Sequence, residues 1–91
     1  MPGTFRAYAR NIEAKSGKSL EDFWKLANRL KYVQKGKVVA PHALLLSWLK
    51  SDVGLGHVHA NFVIMYLRLR SHDSKVSEGM KKWALSTGYV D

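Results

Sequence analysis

Cysteine does not occur in the 91 residues, so neither a disulfide nor a thiolate metal site is open to the chain. That fits a reducing compartment. Long apolar runs are also missing. The longest, Phe62 to Leu67, is far too short to span a bilayer. The opening Met1-Pro2-Gly3-Thr4-Phe5-Arg6 lacks the apolar centre of a signal peptide. A soluble cytoplasmic protein without membrane contact is the expectation. Acids are sparse: Glu13, Glu21, Asp22, Asp52, Asp73, Glu78 and Asp91. They are scattered, the adjacent Glu21 and Asp22 diverge on a helix, and no nucleophile is visibly paired with a base. The expectation is a protein that is not an enzyme and needs no cofactor. No internal repeat or low-complexity linker divides the chain.

What the sequence does contain is positive charge. Fifteen Lys and Arg against seven Asp and Glu leave a formal net charge of +8, with a pI near 10.0. Between Asp22 and Asp52 there is no acid, while Lys25, Arg29, Lys31, Lys35, Lys37 and Lys50 are all basic. A one-sign segment of this kind builds a local positive potential. It suits a polyanion such as DNA or RNA, or else serves only as a solubility-favouring surface. The apolar fraction of 46% and three tryptophans give a chain of this length a modest core and argue against disorder.

Apolar spacing predicts helices in sequence. Thr4 is a plausible cap for a first helix, in which Phe5, Tyr8, Ala9 and Ile12 form one stripe and Gly17 is the stop. Ser19 with Asp22 reads as a capping box for a second helix running from about Leu20 to Gln34. Leu20, Phe23, Trp24, Ala27 and Leu30 are its buried stripe, and Gly36 ends it. Val38 and Val39 suggest at most one short extended segment with no strand partner. Pro41 suits the first turn of a third helix, with Leu44, Leu45, Trp48 and Leu49 as core candidates. A fourth helix, about His57 to Arg70, is apolar nearly all round, with Val58, Ala60, Phe62, Val63 and Leu67 among its apolar positions. Such a helix is usually central. A fifth, capped by Asp73 or Ser74, runs from about Lys75 to Ser86 with a stripe of Val76, Met80, Trp83 and Ala84. It is interrupted by Gly79 and stopped by Gly88.

Three tempting motifs do not hold. Gly17-Lys18-Ser19 would need a glycine at position 12 to make a phosphate-binding loop, and Ile12 stands there. His57 and His59 point about 200° apart on a helix, and no HExxH spacing accompanies them or His42 and His72, so no metal is expected. Trp24, Trp48 and Trp83 lie on apolar stripes and read as core residues rather than a platform for stacked bases.

The stretch Gly54-Leu55-Gly56-His57-Val58-His59-Ala60 is the strongest local signal. Two glycines flank one apolar residue, and a small residue follows at the fourth position. This pattern resembles the hairpin of helix-hairpin-helix modules, whose amides and second helix grip a nucleic-acid phosphate without reading sequence. Those modules often carry Lys or Arg after the second glycine, where this chain has His57 and His59. The N–H groups of Leu55, Gly56 and His57 are expected to be unpaired at a helix start, where the dipole favours an anion. The competing reading is a tight turn and nothing more. A second resemblance rests on Asn11-Ile12-Glu13-Ala14-Lys15-Ser16-Gly17-Lys18 with Asp22-Phe23, and on Trp48-Leu49-Lys50 with the glycine stretch. From about Tyr8 to Leu69 the chain resembles a family of short, mostly bacterial proteins catalogued as a domain of unknown function. That resemblance implies a compact helical domain and no assigned activity.

The expected fold is all-α, a bundle of four to five short helices with a helix-hairpin-helix-like element. It forms one domain over residues 1–91, with a family-like core over 1–70 and a C-terminal helix and tail over 71–91. The expected function is sequence-tolerant binding of nucleic acid, DNA before RNA. Lys50, Gly54, Leu55, Gly56 and His57 would hold one phosphate, and Lys31, Lys35 and Lys37 would extend the charged face. The rival is a protein-interaction or accessory module, with a possible homodimer through the C-terminal helix.

Overall fold

The computed structural model describes residues 4–71 and 78–87. Five helices are present among them: α1 (Phe5–Ser16), α2 (Leu20–Arg29), α3 (His42–Ser51), α4 (His57–Arg70) and α5 (Glu78–Ser86). Between α2 and α3 lies a small antiparallel hairpin, β1 (Val33–Gln34) with β2 (Lys37–Val38), in register Val33 to Val38 and Gln34 to Lys37. The fold is mostly helical, as expected from the spacing of the apolar residues. The anticipated caps Asp73 and Ser74, the helical start at Lys75 with Val76, His72, the Gly88 stop and the tail lie outside the described residues.

Local chemistry sets the helix starts. The Thr4 hydroxyl accepts from the Ala7 N–H at 3.1 Å. Ser19 and Asp22 exchange side-chain and backbone bonds at 3.2 and 2.9 Å, a complete capping box. Gly17 ends α1 at φ 72° and donates its N–H to the Glu13 carbonyl. α4 occupies the centre and packs against α1, α2, α3 and β2. Ala60, Phe62, Val63, Ile64, Tyr66, Leu67 and Leu69 are buried along it, which is why its sequence shows so little polar face.

Two clasps hold the periphery. Arg70 at the end of α4 is ion-paired with Glu21 in the first turn of α2. It also donates to the Tyr66 hydroxyl at 2.9 Å, and its guanidinium stacks 4.7 Å above the Trp24 ring. The pairing with Arg70 holds the Glu21 carboxyl below its usual 4.5 and raises the Arg70 guanidinium further above its already high value. On the other side, Thr87 follows α5 and ties it to the start of α1. Its hydroxyl accepts from Phe5 N–H at 3.0 Å and its carbonyl from Arg6 N–H at 3.4 Å. Trp83 then packs into an aromatic group with Phe5, Tyr8 and Phe62.

The structure corrects several expectations. α2 ends at Arg29 and not at Gln34, because Lys31 turns the chain left-handed at φ 66°. Val38 does have a strand partner, in β1. Leu30 and Leu44, expected in the core, are 44% and 43% exposed, and Val58 on the apolar α4 is 63% exposed. Leu30 falls outside the stripe because the helix has already ended there. Trp24 and Trp83 are half-buried, and only Trp48 of the three tryptophans is fully enclosed.

Candidate nucleic-acid interface

The candidate residues fall into two groups, one at each end of α3. The connection entering α3 carries Lys31, Lys35 and Lys37. Lys50 lies in the last turn of α3, Gly54, Leu55 and Gly56 in the connection leaving it, and His57 at the first position of α4. The ten-residue α3 joins the two groups, and Tyr32, next to Lys31, packs back against Trp48, two residues before Lys50.

In the first group the backbone is unusual. The Lys31 N–H donates to the Asn28 carbonyl at 3.1 Å, and the Tyr32 N–H donates to the Ala27 carbonyl at 2.8 Å. This pair of bonds is the Schellman closure that glycine normally provides at a helix end. Here a lysine adopts the left-handed conformation instead. At the hairpin tip Lys35 and Gly36 have φ of 54° and 75°. Two successive positive values are what a type I′ turn demands, and Asn-Gly or Gly-Gly would adopt them at less cost. Among the described residues Lys31 and Lys35 are the two non-glycine residues with positive φ. The hairpin is held down from beneath: Val33 is buried, and Tyr32 meets Trp48 edge-on at 5.3 Å.

Charge is concentrated around these corners. Lys25, Arg29, Lys31, Lys35, Lys37 and Lys50 are all exposed. The ion pairs among the described residues are Arg70 with Glu21 and Lys81 with Glu78, so none of the six is neutralised by a carboxylate there. Lys18, Lys25 and Arg29 line one shallow depression on α2 together with Asp22 and Leu26. The Asp22 carboxyl is held below its usual 3.8 by the Ser19 backbone and hydroxyl that it bonds.

The second group offers less than its sequence promised. Gly54 takes φ 83° and makes the turn. The Leu55 N–H is not free, because it donates to the Leu49 carbonyl at 3.0 Å. The Leu55 side chain is buried as well, so this residue cannot face a phosphate. Gly56 is the N-cap of α4 in an ordinary extended conformation and supplies no side-chain cap. The Gly56 and His57 N–H groups have no acceptor among the described residues. Both residues are exposed, and an added Cβ at Gly56 would meet nothing within 4 Å. Exposed Asp52 stands in the same turn and opposes an incoming anion. His59 is half-buried, with its ring edge-on to Tyr8 at 6.3 Å. No group of three or more metal-ligating side chains forms among the described residues, and no helix there is long and apolar enough to cross a membrane.

Sequence reasoning placed its weight on the glycines. It counted the lysines as charge but missed their backbone, for which an unusual φ at a lysine leaves no sequence signal. Among known proteins, residues 4–68 match the family model described as a domain of unknown function (DUF4287). No curated protein and no solved structure matches the chain.

Proposed function

Because the chain belongs to this family, whose description assigns no activity, we propose from its surface that it is a non-catalytic, sequence-tolerant nucleic-acid-binding protein that grips the phosphate backbone, of duplex DNA in the first instance. The observation that carries this reading is the conformation of Lys31 and Lys35. Each holds a left-handed backbone that costs an L-residue roughly 1–2 kcal/mol, at corners where glycine or asparagine fits with less strain. A residue kept at such a position against local preference points to a demand from function. Both positions put an ammonium on the exposed side of an acid-free segment, and an ammonium is the group a phosphate needs.

The second group adds a weaker contact. It consists of Lys50 in the last turn of α3 and the unpaired Gly56 and His57 amides at the start of α4. Neither group presents the donor and acceptor pattern needed to read bases, so discrimination between sequences should be slight.

The test is a titration of labelled duplex and single-stranded oligonucleotides at several salt concentrations. The logarithm of the affinity should fall by about 0.9 per phosphate contact for each tenfold rise in salt, with on the order of three to five contacts. Duplex should bind more tightly than single strand. Absence of binding at low salt, or an affinity indifferent to salt, would remove this function and leave the charge as a solubility feature.

A further inference from the structure

Away from the basic face, α1, α4 and α5 enclose an open groove of about 480 Å³. Tyr8 comes from α1, Val58, Phe62 and Met65 from α4, and Met80 and Trp83 from α5. We propose that this groove is a docking site for an acidic amphipathic helix of a partner protein, independent of the nucleic-acid reading.

Size and lining come first. The volume falls within the range of sites that bind a ligand or an anchoring side-chain cluster, and the walls are almost wholly apolar and aromatic. Val58 is 63% exposed at its edge, although valine at such a position gains nothing from water. Met65 and Met80 give a lining that adapts to the shape of an inserted side chain. Gly79 removes a side chain from the α5 wall, and a Cβ built there would meet no heavy atom within 4 Å.

The groove selects a helix over an extended segment. Its α4 wall is formed by Val58, Asn61, Phe62 and Met65, spaced i, i+3, i+4, i+7 over about 10 Å. That is two turns, the length over which a bound helix presents its own i, i+3 or i+4, and i+7 anchors. All three walls are helices. The groove offers no strand edge, so an extended peptide would enter it with its own N–H and C=O groups unsatisfied. A helical occupant brings those bonds with it.

Charge selects the sign. No carboxylate among the described residues lines the groove, and α4 contains no acid at all. Exposed Lys82 precedes the lining residue Trp83 on α5, while Glu78, which precedes Gly79, is ion-paired with Lys81. A second copy would bring another formal charge of +8 to the same surface, and like-charge repulsion opposes that pairing. An acidic helix with an apolar stripe complements both the walls and the rim.

The probe is a synthetic helical peptide with Leu at i, i+3, i+4 and i+7 and Glu on its other faces. A matched peptide with Lys for Glu is the comparison, and the Trp83 indole resonance is the readout. The acidic peptide should shift that resonance saturably, and the Lys peptide should bind about tenfold more weakly or worse. Gly79→Leu fills the groove while replacing glycine by a strong helix former, so it should lose about tenfold in peptide affinity with its melting temperature unchanged or raised. Val58→Glu should weaken the acidic peptide by a similar factor. The proposal fails if the acidic peptide does not bind, if the Lys peptide binds equally well, or if Gly79→Leu binds like the parent. Concentration-dependent dimerisation abolished by Gly79→Leu would also overturn it, by placing a second copy in the groove. Oligonucleotide binding plays no part in these readouts.

Discussion

Replacing Lys31 by glycine should make the protein more stable and a poorer ligand for DNA. Lys31 sits at φ 66°, directly after Leu30, the C-cap of helix α2, and closes the helix with a bond to Asn28 and one from Tyr32 to Ala27. The left-handed conformation costs an L-residue roughly 1–2 kcal/mol. Glycine adopts it freely but loses more chain entropy on folding, about 0.5–1 kcal/mol against alanine. The difference is a gain of about 0.5–1 kcal/mol, or roughly 2–8 °C in melting temperature for a domain of this size. Lys31→Ala is the informative companion. It removes the same ammonium but keeps an L-residue at positive φ, so its stability should stay close to that of the parent. On the DNA side both variants lose one phosphate contact. The salt dependence should become shallower by about 0.9, which is roughly an eightfold loss of affinity at 0.1 M salt. Thermal melts of the three proteins and salt titrations with one duplex decide the matter. If Lys31→Gly is no more stable than Lys31→Ala, lysine is not what strains this helix end. If both variants keep the parental salt slope, Lys31 does not touch phosphate and the functional argument built on its backbone collapses.

Other consequences can be checked as directly. His57→Glu puts an acid in the first turn of α4, where it should add roughly 0.3–1 kcal/mol of stability and weaken DNA binding by about tenfold; Glu13→Gln is the control. Affinity equal to the parent would place all binding at the β-hairpin lysines. Glu21 and Asp22 both have carboxyl groups held below their usual values of 4.5 and 3.8. Their stabilisation is therefore complete above those values and lost as pH falls through the lower, folded ones. Melting temperature should drop on acidification below about pH 4, and less steeply in Glu21→Gln; an identical pH profile for that variant would contradict the Arg70 clasp. Thr87→Val removes the hydroxyl that accepts from the Phe5 N–H and should cost about 1 kcal/mol. Hydrogen exchange should then show α5 opening well before α4, and equal protection of the two helices would show that Thr87 is not what fastens α5.

Much of the fold was legible because polar chemistry and spacing agreed. Ser19 with Asp22 announced the start of α2, Gly17 the end of α1, and the continuous apolar character of residues 57–70 the central helix. The reading failed where a residue acts against its type. No glycine marks the end of α2, since Lys31 does that work, so periodicity carried the helix through to Gln34. The hairpin escaped notice for a related reason. Its turn is Lys35-Gly36 where Asn-Gly would have signalled it, and each strand is only two residues long. Exposed Leu30, Leu44 and Val58 show the other limit: apolar identity at helical spacing does not say which of two apolar flanks faces a neighbour. For Val58 the distinction matters, because its exposed side forms a wall of the groove.

The candidate interface divides along the same line. Its charge was plain from the run without acids between Asp22 and Asp52. Its geometry was not, and the geometry moves the centre of the site. The glycine turn loses the Leu55 amide to Leu49 and carries Asp52 beside its two unpaired amides. At the lysine corners the group offered is the exposed ammonium, which forms no ion pair with a carboxylate among the described residues. In the free protein, six exposed cations with no carboxylate partner among the described residues repel one another, and two sit on strained backbone. The strain at Lys31 is set against the two helix-closing hydrogen bonds it makes possible, and Lys25 lies close enough to Glu21 and Asp22 to help lower both carboxyls. A polyanion cancels the repulsion, but it leaves the backbone strain where it is. The proposed binding would account for lysine rather than a neutral residue at these corners, and strain for the expectation that glycine folds better there. The two effects are separable only because they act on different parts of one residue, the ammonium and the Cβ.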